Sequence, residues 1–408
     1  MMMSKSKRAV HVSVVVPTYK RSEMLIRCLA ALMAQNYDAT AYEVIVADDA
    51  ACVETRQIVE AWTTGRTRPY PHHTLRYVPV IGNHGPAAAR NAGWRAATGD
   101  IIAFTDDDCI PSPGWLSAGV AAFTDGVLGV SGKLIVPMER NPTDYERNAA
   151  QLANGAFITA NCFYRRSCLE AIAGFDENFI TAWREDSDLI FRLWKRFANE
   201  AREMGESRCN ENELGVNRVG ARREHGLNRV EASRDRDLNR VEERRERGVS
   251  REEERQDNDL SRVGASPTPT FCPFVYAPEA IVLHPVRPAQ WGISLKQQRK
   301  SMFNALLYKK HPRLYRQNIQ ATPPWHYYGM VGSLFAAVMG ICSKRQHIAF
   351  VAACLWLFLT GRFCLSRLQH TSDHPSHRAE MLVTSVLIPP LAIFWRIRGA
   401  VKFRVFFL

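Results

Sequence analysis

Three consecutive acids, Asp106, Asp107 and Asp108, directly follow a largely apolar run at 100–105 that is typical of a buried strand. Carboxylates held in one turn repel each other unless solvent or a cation screens their charge. Carboxylate oxygens are the ligands that Mg²⁺ and Mn²⁺ prefer. A solvated acidic turn is the alternative, but such a turn has no need to follow a buried strand. The sequence therefore favours a divalent-cation site here.

The elements that must position these acids are short β-branched runs that alternate with helical stripes along the chain. Such alternation predicts an α/β fold with a mostly parallel sheet and helices on both of its faces. The predicted strands are 12–16, 43–47, 74–78, 100–105, 129–136 and 280–283, and the predicted helices are 22–35, 53–62 and 184–197.

Polar residues follow three of the predicted strands. Ligands on such sheets bind beyond the carboxyl ends of the strands, so these residues are expected to face one site. They are Pro17, Thr18 and Tyr19 after the first strand, Asp48 and Asp49 after the second, and the three acids 106–108 after the fourth.

Four segments occur together in the order of a known family. They read VVVPTYKR at 14–21, VIVADDA at 44–50, GPAAARNAGWRAATGDIIAFTDDDCIP at 85–111 and GFDENFITAWREDSDLIFRL at 174–193. Together they resemble glycosyltransferase family 2, whose catalytic domain has the GT-A fold, a Rossmann-like α/β arrangement. The resemblance covers residues 10–198 and resumes around 272–300. The C-terminal PPLAIFWRIRGAVKFR is similar to the membrane ends of bacterial members.

The resemblance implies a nucleotide-sugar donor, most commonly a UDP-sugar, and Mg²⁺ or Mn²⁺ as cofactor. A divalent cation neutralises a diphosphate and makes it a better leaving group. A helix-surface role is the alternative for Arg90, and a structural role is the alternative for His284. By resemblance, the nucleotide-sugar-binding residues are Pro17, Thr18, Tyr19, Asp48, Asp49, Arg90, Asn91, Asp106 and Asp107, and the metal ligands are Asp106, Asp108 and His284.

Direct displacement at an anomeric carbon needs a base that takes the proton of the acceptor hydroxyl. The Glu185-Asp186 pair matches the base motif of the family, so the resemblance assigns catalysis to Asp186 and Glu185, with Asp188 assisting. Helix capping is the competing explanation, because the helix dipole favours acids in a first turn. With Asp186 as the base, the reaction inverts the anomeric configuration.

Two segments depart from the family pattern. Ala50-Ala51 stands where a small polar pair is usual. This departure affects the expected turn after the second strand, but not the assignment of Asp48 and Asp49. Neither Gln297 nor Gln298 is followed three residues later by the Arg-Trp of processive synthases, which indicates a single transfer per encounter. By resemblance, Asn161, Phe175 and Asp176 lie in the acceptor-facing half.

The formal charge of +12 arises in the C-terminal third of the chain. Residues 1–199 carry 21 basic and 21 acidic side chains, whereas residues 284–408 carry 17 Lys and Arg against two acids. A nucleic-acid binder would need a basic face on its folded domain, so no nucleic acid is expected as a partner. A basic excess among apolar runs favours anionic lipid head groups instead.

Three apolar runs occupy 325–342, 347–365 and 381–395. The first two approach the roughly 17–25 residues that span a bilayer, and they would form a tight hairpin. Basic residues flank every run, and Pro389-Pro390 interrupts the third. These features favour a shallow or re-entrant hairpin with an interfacial third segment over three full spans. Burial in a soluble core is the alternative.

An eleven-residue unit, whose first copy reads NRVGARREHGL, recurs along 217–267. Each unit has too few apolar residues to offset chain entropy, so we predict a solvated insertion, with an interaction tail as the alternative. The predicted domains are 10–198 plus 270–315 for the GT-A domain, 199–269 for the insertion, and 320–408 for a membrane-associated helical region.

The sequence therefore predicts an inverting, metal-dependent glycosyltransferase whose partners are membrane lipids and a lipid-linked or polysaccharide acceptor. Its expected location is the inner membrane, with the catalytic domain in the cytoplasm. The alternatives are a polyprenyl-phosphate glycosyltransferase that makes a carrier lipid, and a non-catalytic membrane scaffold with a degenerate transferase domain. A degenerate domain would have lost some of Asp49, Asp106, Asp108 and Asp186, yet all four are present.

Overall fold

The computed structural model describes residues 11–64, 72–138, 141–203 and 273–407. The eleven-residue repeats lie outside the described residues, so their predicted disorder stays a prediction. The first residues of the predicted insertion are described, and they continue the helix Glu185–Glu203.

One eight-stranded sheet forms the centre of the described part of the chain. Its strands are β1 Val12–Thr18, β2 Tyr42–Asp48, β3 Thr74–Pro79, β4 Ile101–Phe104, β5 Ile110–Pro111, β6 Gly129–Ile135, β7 Cys162–Arg165 and β8 Phe274–Leu283. Their order is β3-β2-β1-β4-β7-β6-β8-β5. β1 runs parallel to β2 and β4, and β2 runs parallel to β3. β7 is antiparallel to β4 and β6, whereas β8 is parallel to β6 and antiparallel to β5.

Helices cover both faces of this sheet and continue beyond it. Before β8 they are α1 Ser22–Met33, α2 Val53–Thr64, α3 Pro86–Ala96, α4 Trp115–Ala121, α5 Asp144–Ala150, α6 Arg166–Ala171 and α7 Glu185–Glu203. After β8 they are α8 Ile293–Gln297, α9 Met302–Lys310, α10 Pro312–Asn318, α11 Trp325–Cys342, α12 Gln346–Leu368 and α13 Pro375–Lys402, with 3-10 helices at Gln151–Asn154 and Gln298–Ser301.

β1, β2 and β4 are largely apolar and buried because both faces of the sheet are covered. On β1, Val14 packs into the core that contains Leu29 of α1, whereas Val15 packs into the core that contains Trp94 of α3. A Cβ on Gly93 would collide with Val15, so α3 lies unusually close to the sheet. The predicted α/β fold class is confirmed, and each strand predicted in the first half appears with ends that differ by two residues at most.

Several elements near the site were not predicted, among them β7 and α3. β7 has only four residues, and its antiparallel direction reverses the run of parallel strands. α3 is rich in Ala and Gly and has no apolar stripe of large residues, so the usual periodicity signal is missing.

The C-terminal helices form a bundle in which α11 packs against α12, and both contact α13. Two of the described helices, α12 and α13, are long and apolar enough to cross a membrane. Large apolar side chains on them face outward, among them Phe350, Phe358 and Phe394, which are 51–71% exposed. The predicted interruption at Pro389-Pro390 is wrong, because α13 continues through both prolines. Packing against neighbouring helices keeps such a helix intact where isolated propensity would break it.

The end of α13 returns to the catalytic domain. α13 packs against α9, where a Cβ on Gly399 would meet the backbone of Met302. Beyond the helix, Phe407 is 2% exposed and stacks against Tyr308 and Tyr315. Helix α13 and the part of the chain that contains the sheet therefore share one hydrophobic core.

Asn161 joins four elements in the interior of the sheet. It is 2% exposed, and its Oδ1 accepts a hydrogen bond from Trp115 Nε1 of α4 at 2.9 Å. Its Nδ2 donates to the carbonyl oxygens of Lys133 at 2.9 Å and Ala280 at 2.8 Å. The buried Asn161 side chain thus has a structural role in joining these elements. An acceptor-binding role is not needed to explain its presence.

We expect Asn161→Ala to lower the free energy of unfolding by roughly 2–4 kcal/mol, because buried partners would be left without hydrogen bonds. The measurement is the midpoint of thermal unfolding in detergent, followed by tryptophan fluorescence. Asn154→Ala, at an exposed position, is the matched control. Equal midpoints for the two variants would contradict a structural role for Asn161.

Candidate active site

Arg90 of α3 lies between two carboxylates from distant parts of the chain. Its Nη2 is 2.7 Å from Asp106 Oδ1, directly after β4, and its Nη1 is 3.1 Å from Glu185 Oε1 at the start of α7. The Arg90 side chain is only 3% exposed. Desolvation by burial acts to lower the pKa of Arg90, but the charges of Asp106 and Glu185 raise it overall. The guanidinium therefore stays charged, and the helix-surface role is excluded by its burial.

Asp106 and Asp107 have different surroundings although they are adjacent. Burial acts to raise the pKa of Asp106, but the charge of Arg90 outweighs it, so that pKa is lowered. Asp107 is buried and accepts hydrogen bonds from Thr18 Oγ1 and Arg21 Nη1, both at 2.8 Å. Burial raises the pKa of Asp107, while Arg21 opposes the shift. Asp107 therefore ties the end of β1 to the end of β4.

Asp108 and His284 form the part of the site that fits a cation best. His284 Nε2 is 3.6 Å from Asp108 Oδ1, a separation compatible with two ligands of one ion, since ligands at about 2.1 Å lie roughly 3 Å or more apart. His284 Nδ1 is buried and has no hydrogen-bond partner among the described residues. Arg287 Nε lies 2.9 Å from Asp108 Oδ2 and neutralises that carboxylate.

Cys109 lies near the same pair, and its Sγ is within 4.8 Å of the Asp108 and His284 ligand atoms. Burial, together with the charges of Asp106 and Asp108, raises the pKa of the Cys109 thiol well above its usual range. A thiol that stays protonated is a poor ligand, and Mg²⁺ and Mn²⁺ prefer oxygen. The residues that fit a hard divalent cation are therefore Asp108 and His284, with Asp106 beside them.

Glu185 and Asp186 begin α7 and differ in their exposure. Glu185 is 4% exposed, and its Oε2 has no hydrogen-bond partner within the described ranges. Burial raises the pKa of Glu185 to about 7, with Arg90 opposing the shift and Asp186 adding to it. Asp186 is partly exposed, and its Oδ1 accepts from Ser187 N at 2.6 Å. The predicted capping and the predicted chemistry are thus compatible at this helix start.

Asp188 is separated from these two acids by its partners. It is fully buried and contacts His311, Arg192 and Lys310. Burial acts to raise its pKa, but the His311 hydrogen bond and the neighbouring cations lower it to about 2. Asp188 therefore anchors α7 to α9 and α10, and an assisting role in proton transfer is not supported by its position.

Two predicted nucleotide-binding residues have fully occupied side chains. Asp48 accepts from Ala50 N, Cys52 N and Tyr77 Oη at 2.8–3.1 Å. Asn91 donates to the Phe175 oxygen and to Glu177, and accepts from Phe175 N and Trp94 Nε1. Asp48 thus shapes the turn after β2, and Asn91 holds the 174–177 turn beside α3.

Asp49, Pro17 and Tyr19 are more accessible, whereas Thr18 between the last two is buried. Gly85 N donates to both carboxylate oxygens of Asp49 at 3.0 Å, and His84 Nδ1 lies 3.1 Å from its Oδ1. Tyr19 is 52% exposed and follows β1, which suits a ring that would stack on a base. Whether Pro17, Tyr19 and Asp49 bind a nucleotide stays a prediction.

A cleft of about 450 Å³ lies between α7, the α5 region and the segment after β8. Five predicted site residues line it together, namely Arg90, Asp106, Glu185, Asp186 and His284. Arg287 and Lys300 also line it, and the sequence had given them no role. Burial lowers the pKa of Lys300, while Glu185 opposes and Arg287 and Arg21 add to that shift. The sequence did contain a signal for Arg287 and Lys300, because basic residues after β8 can complement the acidic cluster at 106–108.

We compare the free energy of unfolding of the wild-type protein with that of Glu185→Gln. We expect the wild-type value to decrease relative to that of the variant as pH rises from about 4.5 to about 7. A carboxyl whose pKa is higher in the folded state holds its proton better there, so its stabilisation is present below the unfolded value and lost above the folded one. The difference approaches roughly 3 kcal/mol across that window.

Thermal unfolding in metal-free detergent buffer at several pH values measures this difference. Glu60→Gln, on the exposed face of α2, is the matched control and should keep the wild-type slope. A Glu185→Gln slope equal to that of the wild type would contradict a buried carboxyl with a raised pKa.

Residues 13–174 match the sequence profile described as Glycosyl transferase family 2. Glycosyltransferase AglE from Haloferax volcanii is 29% identical over 180 residues, which cover 42% of this chain and 57% of the relative. The GalNAc(5)-diNAcBac-PP-undecaprenol beta-1,3-glucosyltransferase from Campylobacter jejuni is 29% identical over 129 residues, which cover 32% of this chain and 40% of the relative. The chain therefore spans about half the length of these relatives.

A mannosyltransferase from Pyrobaculum calidifontis, solved in complex with GDP-Man and Mn²⁺, is similar over 98% of this chain and 88% of its own, at 15% identity and a TM-score of 0.44. The sequence match covers β1 to β7 and ends just before α7. Residues 13–174 of this chain are thus similar to glycosyltransferase family 2.

Proposed function

We propose that this protein is an inverting, metal-dependent glycosyltransferase that moves a sugar from a nucleotide-sugar to a lipid-linked acceptor at the inner face of a membrane. One observation carries the proposal: Arg90 joins Asp106, on the donor side, to Glu185, on the acceptor side, in one cleft. A donor diphosphate and an attacking hydroxyl need this combination of opposed charges at a single site. The similarity of residues 13–174 to family 2 supports the same reaction class.

Asp108 and His284, with Asp106 beside them, would hold Mg²⁺ or Mn²⁺. When bound, such an ion supplies positive charge to a departing diphosphate. Arg287, which is paired with Asp108, and Lys300 face the same cleft and would add two further positive charges to it. Arg90 keeps Asp106 ionised by lowering its pKa, so this carboxylate remains able to face a cation or a ribose hydroxyl.

Asp186 would act as the base. It is partly exposed and lines the cleft, whereas Glu185 is buried behind it against Arg90. The acceptor hydroxyl would give its proton to Asp186 as its oxygen attacks the anomeric carbon. The bond from that carbon to the nucleotide breaks on the opposite face, so the configuration inverts. Glu185 would set the charge around Asp186. The Glu185 carboxyl is neutral when it holds its proton and adds a negative charge beside Asp186 when it loses it.

A lipid-linked acceptor is supported by two independent features. The relative from Campylobacter jejuni is named for an undecaprenol-diphosphate substrate. In addition, α12 and α13 are long and apolar enough to cross a membrane and expose large apolar side chains. A UDP-sugar is the first donor to test, because it is the commonest in the resembling family.

We expect purified protein in detergent to release nucleotide from one donor among UDP-, GDP- and dTDP-sugars when bacterial lipid extract is present. Release should require Mn²⁺ or Mg²⁺ and stop with EDTA. Asp186→Asn should lower kcat by about a hundredfold or more, because a positioned base contributes on that scale. Donor binding by the same variant, measured by calorimetry, should remain.

Asp125→Asn is the control for this experiment, because Asp125 is exposed on the far loop after α4. It should turn over like the wild type. If no nucleotide-sugar binds in the presence of metal, the chain is not a transferase and the scaffold alternative takes its place. Transfer to free polyprenyl phosphate would instead identify the carrier-lipid reaction.

We expect Asp108→Asn to weaken Mn²⁺ binding at least about tenfold, the scale on which even supporting residues of metal sites act. The measurement is the loss of the free Mn²⁺ signal in electron paramagnetic resonance, with UDP present. Asp107→Asn is the matched variant, because Asp107 is a neighbouring acid that is already paired with Arg21. It should lower the unfolding midpoint without changing Mn²⁺ affinity, and equal weakening by both variants would contradict the ligand assignment.

A further inference from the structure

One wall of the cleft is formed by α5 and the 3-10 helix Gln151–Asn154. Tyr145, Asn148, Ala149 and Leu152 of this wall line the cleft. Every residue of these two helices is described, and none of them is buried. Leu152 is partly buried against the hydrophobic core, but no residue of the wall lies inside it, so other contacts must contribute to holding the wall in place.

Polar contacts attach the wall to the end of α12 and the segment that follows it. Arg367 Nη2 of α12 is 2.8 Å from Asp144 Oδ2 at the start of α5. Arg147 Nη1 donates to the Gln369 oxygen at 2.6 Å. Ser372 N donates to the Pro142 oxygen at 2.9 Å. The contacts of the wall thus go to the helices that are long enough to cross a membrane.

Arg367 is the centre of this attachment. Its side chain is 8% exposed, and its Nη1 donates to Thr384 Oγ1 at 2.7 Å and to Ser385 Oγ at 3.1 Å. Both hydroxyl residues belong to α13 and are fully buried. A buried guanidinium needs a carboxylate partner, so separating Asp144 from Arg367 is strongly disfavoured. One side chain thereby holds α5, α12 and α13 together.

The opposite wall is attached to α13. Gly292 N donates to Glu380 Oε1 of α13 at 2.7 Å, and Trp291 Nε1 donates to the Ser376 oxygen at 3.3 Å. These residues lead into α8 and the 3-10 helix that contains Lys300 of the cleft lining. The N-terminal half of α13 therefore contacts one side of the cleft directly, and it is joined to the α5 wall through Arg367.

We propose that Asp144 and Arg367 are positioning residues for the acceptor. Their ion pair sets the separation between the α5 wall and Asp186, so that an acceptor whose lipid chain lies along α12 and α13 brings its hydroxyl into the cleft. This inference rests on the proposed function. Neither residue touches the reacting atoms, because both act through the placement of the wall.

The test is nucleotide release at saturating donor against increasing bacterial lipid extract in mixed micelles. Asp144→Asn should raise the half-saturating amount of extract about tenfold, while the half-saturating donor concentration stays unchanged. Asp144→Glu should restore most of the wild-type behaviour, since it keeps the carboxylate. A merely structural role would lower kcat or affect the donor as much as the lipid.

Arg378→Gln is the matched control. It breaks the ion pair between Arg378 of α13 and Asp373, which precedes that helix, but both side chains are exposed, at 59% and 85%. It should behave as the wild type in every readout. The proposal is overturned if Asp144→Asn leaves the lipid dependence unchanged, or if it weakens donor and lipid dependence equally.

A separate readout distinguishes failure of this inference from failure of the proposed function. If no nucleotide-sugar binds to the wild type in the presence of metal, the proposed function fails, and hydrogen exchange tests the attachment alone. Peptides that cover residues 144–154 should then exchange about tenfold faster in Asp144→Asn than in the wild type or Arg378→Gln. Unchanged exchange in those peptides would show that the ion pair does not hold the wall.

Discussion

A buried positive charge is the constraint on which the rest of this site depends. Arg90 is almost completely enclosed, and a guanidinium in that position requires carboxylate partners. Its helix cannot shift to find them, because Gly93 presses α3 against β1. Other elements must therefore place the carboxylates against Arg90, and these are the end of β4, with Asp106, and the start of α7, with Glu185. The distance between the two halves of the cleft follows from that requirement.

The acids of the site divide into those that support the fold and those that remain available for chemistry. Asp48, Asp107 and Asp188 are buried and satisfied by local donors or cations. Asp106 and Asp186 line the cleft with part of their surface exposed. Supporting acids occur one or two residues from each available acid. Their proximity in sequence explains why a motif alone does not separate the two groups.

The sequence predicted the parallel strands well because β-branched runs buried on both faces leave an unambiguous pattern. Five of the predicted site residues, namely Arg90, Asp106, Glu185, Asp186 and His284, line one cleft, whereas others such as Asp49 and Asp108 are not among its lining residues. The sequence could not predict the roles of Asn91 and Asn161, because their partners come from distant segments. It was wrong at Pro389-Pro390, where packing against neighbouring helices outweighs local propensity.

The return of the chain from α13 to the catalytic domain has a practical consequence for how the protein can be handled. Phe407 stacks on Tyr308 and Tyr315, next to the α9 and α10 anchors of Asp188. A shortened version without α11–α13 would lose these aromatic contacts and expose the rings they cover. Removing α11–α13 therefore does not leave the rest of the fold intact, and a preparation that keeps these aromatic contacts includes all three helices.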